Sequence, residues 1–133
     1  MIGKAKAPTE KDALFLIVDD DADMCWALEH LLDKNGFHSR KAFSAQEALL
    51  LVEEHSFQLA FLDAKLPDME GLELARRIRE MDPGLPILMV SGYFYGGDEA
   101  VQKGLADGLI YGFVSKPFFH DEILKAIEIR RPG

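Results

Sequence analysis

The sequence predicts an α/β fold in which a parallel sheet of five strands is covered by helices on both faces. Short apolar runs alternate with longer stretches of helical periodicity along the whole chain. Parallel neighbours need helix-sized crossover connections, and this alternation supplies them. The length of 133 residues and the 48% hydrophobic content suit one domain with a single core.

The first two units show the alternation most clearly. The apolar run "LFLIV" is the first strand, and the helix that follows carries an apolar stripe at helical spacing, formed by Met24, Ala27, Leu28, Leu31 and Leu32. Gly36 ends this helix because glycine readily adopts the left-handed conformation of a helix C-terminus. The second strand is "HSRKAF". Ser44 and Glu47 then form a capping-box signature that opens the second helix.

The remaining three units follow the same order. The buried strand "FQLAFLD" ends at Asp63, and the helix within "PDMEGLELARRIREMDP" stops at Pro83. The strand "LPILMVSG" leads through the aromatic- and glycine-rich turn "GYFYGGD" to a short helix predicted around Glu99 to Gly104. "GLIYGFVSKPF" holds the fifth strand, and "HDEILKAIEI" is the last helix.

Composition excludes several classes of function. A net charge of −8 disfavours binding to a nucleic-acid backbone or to an anionic membrane. The single cysteine, Cys25, allows no internal disulfide and no zinc site built on several thiolates. No apolar run approaches the roughly 20 residues that span a bilayer. We therefore expect a cytoplasmic protein with a flexible N-terminal tail over residues 1–13 and one domain over residues 14–133.

Polar residues follow four of the predicted strands where each strand ends. Asp19 and Asp20 follow the first strand, Asp63 the third, Ser91 the fourth and Lys116 the fifth. In open α/β sheets the ligand crevice lies beyond the carboxyl ends of the strands. We therefore expect all five side chains at one edge of the sheet.

The chemistry of these five side chains indicates phosphoryl transfer to a carboxylate. Clustered carboxylates repel one another unless a cation lies between them, and oxygen ligands of this kind suit Mg²⁺. Lys116 and Ser91 offer the donors that the equatorial oxygens of a phosphoryl group require. Asp63 is the expected nucleophile, which would form an acyl phosphate.

Four motifs in order, "LIVDDD", "LAFLDAKLPDMEG", "ILMVSG" and "VSKPF", resemble the receiver domain of two-component response regulators. The resemblance runs from about Phe15 to about Ile129. It implies a flavodoxin-like doubly wound (βα)5 sandwich with strand order 2-1-3-4-5 and a cis peptide bond before Pro117.

The resemblance also implies a metal site and a phosphorylation site. It assigns Asp20 as a direct Mg²⁺ ligand, Asp19 as a ligand acting partly through water, and the backbone carbonyl of Lys65 as a further ligand. Asp63 is then both a metal ligand and the phospho-acceptor.

A switch and its partners follow from the same resemblance. Ser91 follows the phosphoryl group, Lys116 binds it, and Phe113 is the switch aromatic, without the hydroxyl of the more frequent tyrosine. The fourth helix, fifth strand and fifth helix would carry the signal. The implied partners are a sensor histidine kinase or phosphotransfer protein, and a downstream effector or fused output domain. The resemblance also allows a dimer that depends on phosphorylation. Such a domain is a signalling switch, not an enzyme, whose only chemistry is its own phosphorylation and dephosphorylation.

Two other classes of protein that share features of this site fit these residues poorly. A flavin-binding flavodoxin is disfavoured because carboxylates at the first strand would repel the flavin phosphate. A haloacid-dehalogenase phosphatase needs an acid two residues after Asp63, where Lys65 stands. A degenerate receiver that binds partners without phosphorylation stays open. The roles of Trp26 and of the tract 93–95 also stay open. Trp26 is either a partner contact or packing, and the tract is either an effector surface or cover for the sheet. The chain is either a single-domain regulator or the receiver portion of a longer protein.

Overall fold

Strands and helices alternate through the residues that the computed structural model describes, 13–92 and 99–130. The strands are β1 (Leu14–Val18), β2 (His38–Ala42), β3 (Leu59–Leu62), β4 (Ile87–Ser91) and β5 (Gly112–Ser115). The helices are α1 (Ala22–Lys34), α2 (Ala45–Glu54), α3 (Gly71–Met81), α4 (Glu99–Ala106) and α5 (His120–Arg130). Residues 1–12 of the predicted tail 1–13 and the aromatic tract 93–95 lie outside the described residues.

The five strands of the described region form one parallel sheet in the order β2-β1-β3-β4-β5, which confirms the predicted doubly wound fold. Val18, at the end of β1, pairs with Ala42 on one side and with Leu62 on the other. The carboxyl ends of these three strands therefore lie side by side. Strand order reverses beside β1, where ligands of such sheets bind.

Side chains alternate between the two faces of the sheet, and each face has its own hydrophobic core. On one face Leu16, Val18, Leu62 and Met89 pack against residues of α2, α3 and α4. On the other face Phe15, Ile17, Phe61 and Val90 pack against α1 and α5. The strands therefore read as continuous apolar runs because both of their faces are covered.

The helix ends follow the local signals in most places. The Asp21 carboxylate accepts the backbone N–H groups of Asp23 and Met24 and caps α1. Gly36 takes a φ of +83° just after this helix, as predicted. Trp26, on the outer face of α1, is 62% exposed. None of the helices in the described part of the chain is both long enough and apolar enough to cross a membrane.

α3 occupies only part of the segment "PDMEGLELARRIREMDP", which the sequence predicts to contain it. The helix begins at Gly71, and the residues before it form a turn in which the Leu66 N–H donates to the Met69 carbonyl over 3.1 Å. The Gly71 N–H donates to the Ala64 carbonyl over 2.7 Å, so the chain must double back before the helix can start. α4 also runs two residues beyond its predicted end, to Ala106.

Candidate functional site

The structure brings the five predicted polar residues to one edge of the sheet. Asp19 and Asp20 follow β1, Asp63 follows β3, Ser91 is the last residue of β4 and Lys116 follows β5. Backbone hydrogen bonds extend the pairing to these positions, because the Asp63 N–H donates to the Val18 carbonyl over 2.9 Å and the Lys116 N–H to the Ser91 carbonyl over 3.1 Å. The site is therefore built on the sheet itself.

Three carboxylates lie close together at this edge. Asp19, Asp20 and Asp63 each offer one oxygen, and these oxygens all lie within 4.8 Å of one another. Asp19 and Asp63 are 3% and 5% exposed, whereas Asp20 is exposed to solvent. One lysine cannot neutralise three carboxylates, and oxygen donors of this kind suit a hard divalent cation. The residues present therefore fit the metal ion that the resemblance implied.

Lys116 is the positive charge of the site. Its Nζ donates to Asp19 Oδ2 over 2.7 Å and lies 3.6 Å from Asp63 Oδ1. Burial favours the neutral amine, but the hydrogen bond to Asp19 and the charges of Asp19, Asp63 and Asp21 outweigh it and raise the pKa of Lys116. The lysine is therefore held as an ammonium group beside Asp63. The peptide bond between Lys116 and Pro117 is cis, as predicted.

Asp63 is held from several sides. Its Oδ1 accepts the Ala64 N–H over 2.9 Å. Burial, and next the charge of Asp19, raise the pKa of the Asp63 carboxyl, while Lys116, the Ser91 hydroxyl and the Ala64 N–H act in the opposite direction. The ionised form, which a nucleophile needs, is thus opposed by burial and supported by nearby donors.

We predict that Asp63→Asn stabilises the metal-free fold at pH 7. Because the pKa of Asp63 is raised on folding, its carboxyl favours the native state only below its ordinary value of 3.8, and that contribution is lost as the pH rises through the raised pKa. Urea unfolding with a chelator present, from pH 3 to pH 8, should show an advantage for the variant at neutral pH that closes in acid. A variant less stable than wild type at pH 7 would contradict this account of the site.

Lys65 and Phe113, the other two predicted site residues, differ in burial. The Lys65 side chain is exposed, and its Nζ lies 3.8 Å from Glu70 Oε2. Phe113 is half-buried on β5 and packs against the core on the α2, α3 and α4 side of the sheet. The Cys25 thiol is buried and donates to the Asp19 carbonyl over 3.2 Å, and burial raises the pKa of this thiol to about 12.

Sequence reasoning missed two residues that shape the site. A Cβ on Gly71 would overlap the Asp63 carbonyl oxygen and lie 2.9 Å from Ala64 Cα. Asp68, on the turn after Asp63, accepts the backbone N–H groups of Ala45 and Gln46 at the start of α2. Gly71 was visible as the last letter of the "DAKLPDMEG" motif, whereas no local pattern links Asp68 to α2.

Comparisons with known proteins agree with this geometry. Residues 15–128 match the family described as the response regulator receiver domain. The C4-dicarboxylate transport transcriptional regulatory protein DctD of Rhizobium meliloti is 33% identical over 110 residues, which cover 83% of this chain and 23% of that protein. The response regulator receiver protein CpdR of Brucella abortus is 32% identical over 113 residues, which cover 85% of this chain and 92% of that protein.

A solved structure adds chemical detail about a relative. The crystal structure of a response regulator protein from Burkholderia pseudomallei contains a phosphorylated aspartic acid, a calcium ion and citrate. It matches with a TM-score of 0.78 and 27% identity, over 87% of this chain and 66% of that one.

The fold and the acidic site define a receiver module of two-component signalling. The chain belongs to the response regulator receiver domain family. It spans less than a quarter of the length of DctD but nearly the whole length of CpdR.

Proposed function

We propose that this chain is a phosphorylation-controlled switch in which Asp63 accepts a phosphoryl group from a histidine kinase or phosphotransfer protein. The observation that carries the proposal is the placement of a buried Asp63 carboxylate 3.6 Å from the Lys116 ammonium, beside two further carboxylates. The phosphorylated aspartic acid in the Burkholderia pseudomallei relative supports the same chemistry.

The proposed reaction is an in-line displacement at phosphorus. A carboxylate oxygen of Asp63 forms the new O–P bond while the P–N bond of the donor phosphohistidine breaks. The ring nitrogen keeps the bonding pair, and a ring whose other nitrogen already carries a proton leaves as neutral imidazole. Lys116 and the Ser91 hydroxyl then donate to the phosphoryl oxygens. Lys116 needs only a short movement, because its Nζ already lies between Asp19 and Asp63.

The metal site that goes with this reaction is assigned to Asp19, Asp20, Asp63 and the Lys65 carbonyl, with Mg²⁺ as the ion. When bound, the ion neutralises charge on the reacting oxygens. Asp20 is the direct ligand in this assignment. Both Asp19 oxygens already accept hydrogen bonds, Oδ1 from the Asp21 N–H over 2.9 Å and Oδ2 from Lys116, so Asp19 acts partly through water.

The switch is assigned to Ser91, Phe113 and the face formed by α4, β5 and α5. Phosphorylation draws the Ser91 hydroxyl inward, and Phe113 turns into the space that this movement opens. A downstream effector, a fused output domain or a second copy of the chain would then recognise the changed face. We expect no direct contact of this chain with nucleic acid, because of its net charge of −8.

Intact-mass spectrometry after treatment with acetyl phosphate tests the proposal. We expect one phosphate on wild type in the presence of Mg²⁺, none with a chelator, and none on Asp63→Asn. Asp33→Asn, an exposed carboxylate on α1, is the matched control and should be phosphorylated like wild type. A folded wild type that takes no phosphate would favour the alternative, a module that binds partners without phosphorylation.

A further inference from the structure

The side chain of Asp68 joins the turn between β3 and α3 to the N-terminus of α2. Asp68 Oδ1 accepts the Ala45 N–H over 2.8 Å, and Asp68 Oδ2 accepts the Gln46 N–H over 3.0 Å. These two donors are the first N–H groups of α2, which have no partner within their own helix. The two backbone hydrogen bonds, from Ala45 and then Gln46, lower the pKa of the Asp68 carboxyl, so it is ionised at neutral pH.

The same turn carries main-chain groups of the proposed phosphorylation site. The Ala64 N–H holds Asp63 Oδ1, and Lys65 supplies the carbonyl assigned to the metal. Two contacts close the base of the turn. The Gly71 N–H donates to the Ala64 carbonyl over 2.7 Å, and Lys65 pairs with Glu70 in a short antiparallel bridge. Asp68 lies at the exposed tip, between Leu66 and Met69, where the Leu66 N–H donates to the Met69 carbonyl over 3.1 Å.

We infer that Asp68 is a positioning residue for the proposed phosphorylation site, which it serves by anchoring the tip of the β3–α3 turn to the N-terminus of α2. This inference rests on the proposed function. With both ends of the turn and its tip fixed, the Lys65 carbonyl and the Ala64 N–H are held in place before any ligand arrives. Supporting contacts of this kind hold metal ligands in their binding orientation.

The alternative is that Asp68 only caps α2, and the chain offers a matched control for it. Ser44 Oγ accepts the Glu47 N–H over 3.2 Å at the same helix end, but Ser44 is not on the turn. Ser44→Ala therefore removes a cap from α2 and leaves the anchor of the turn intact. If Asp68 only caps the helix, Asp68→Ala and Ser44→Ala should have the same effects.

The experiment measures Mg²⁺ binding by calorimetry at pH 7 for wild type, Asp68→Ala, Asp68→Asn and Ser44→Ala, at a temperature where circular dichroism shows all four folded. We expect Mg²⁺ binding roughly tenfold weaker in Asp68→Ala, the lower end of the cost of losing a supporting contact. Asp68→Asn keeps one acceptor oxygen and should recover part of the affinity. Ser44→Ala should bind Mg²⁺ like wild type, although its thermal midpoint falls.

A second readout needs no metal. Amide hydrogen exchange of Leu66 and Gly71, whose N–H groups are bonded within the turn, should be faster in Asp68→Ala than in Ser44→Ala. Equal Mg²⁺ affinity and equal exchange in the two variants would overturn the positioning role. Failure of wild type to bind Mg²⁺ would instead overturn the proposed function and this inference with it, and the wild-type titration alone would show that.

Discussion

Lys116→Met is expected to lower the free energy of unfolding by about 3 kcal/mol at pH 7 in the absence of divalent cations, since removing one partner of a buried ion pair leaves an uncompensated charge. The side chains of Asp19 and Asp63 would then face each other in a buried site without the ammonium that now lies 2.7 Å and 3.6 Å from them. Methionine has a similar length, so the loss of packing is small. Urea denaturation of both proteins measures the difference.

Two conditions should rescue this variant. Lowering the pH protonates Asp63, whose pKa is raised, and so removes its repulsion with Asp19, and the loss of stability shrinks in acid. Millimolar Mg²⁺ should rescue it at neutral pH, because a cation that binds only the folded state stabilises it.

Lys103→Met is the control. Its partner Asp107 is on the surface, and such exposed pairs contribute only about 0–1 kcal/mol. Equal losses in the two variants, or no rescue by acid, would contradict the electrostatic account.

Gly71→Ala is expected to lower the free energy of unfolding by about 3 kcal/mol and to prevent phosphorylation of Asp63. The new Cβ would overlap the Asp63 carbonyl oxygen and crowd Ala64 Cα, which are backbone atoms and cannot rotate away as a side chain can. Relief requires a shift of the main chain that carries Asp63. The loss would appear despite the gain of about 1 kcal/mol that alanine normally brings to a helix.

Gly92→Ala is the matched control for this steric argument. Gly92 directly follows Ser91 at the same edge of the sheet, but among the described residues a Cβ there would meet only Lys116 Cβ, at 4.0 Å, which is an ordinary contact. We expect its unfolding free energy and its phosphorylation to stay close to wild type. Thermal unfolding and intact mass after acetyl phosphate measure both variants. A Gly71→Ala protein as stable and as readily phosphorylated as Gly92→Ala would contradict the predicted clash.

The class of fold was predictable because its signals are local. Continuous apolar strands such as β1 and β4, stripes at helical spacing and the caps at Ser44 and Gly36 each depend on a few neighbouring residues. The strand order and the cis bond before Pro117 came only from the resemblance to receiver domains, since no local pattern specifies which strands become neighbours. The shared edge of the five polar residues followed from parallel strand direction alone.

What the sequence did not predict depends on contacts between distant segments. The two hydrogen bonds from α2 to Asp68 join residues 23 and 22 positions apart, and an Asp in a turn gives no sign of such a partner. Gly71 is required by a carbonyl eight residues earlier, at Asp63, and the close approach exists only once the chain has folded back. The pairing of Lys116 with Asp19, more closely than with Asp63, likewise depends on the folded geometry.

Locating the phosphate on the wild-type chain tests directly whether Asp63 is the phospho-acceptor. Borohydride reduces an acyl phosphate to an alcohol, so reduction of the acetyl-phosphate-treated protein, followed by peptide mass spectrometry, converts the modified aspartate into homoserine at an identifiable position. We predict homoserine at residue 63 in samples treated with Mg²⁺ and none in samples treated with a chelator. Homoserine at another aspartate, or reduction that leaves Asp63 unchanged in a phosphorylated sample, would contradict the assignment of Asp63 as the phospho-acceptor.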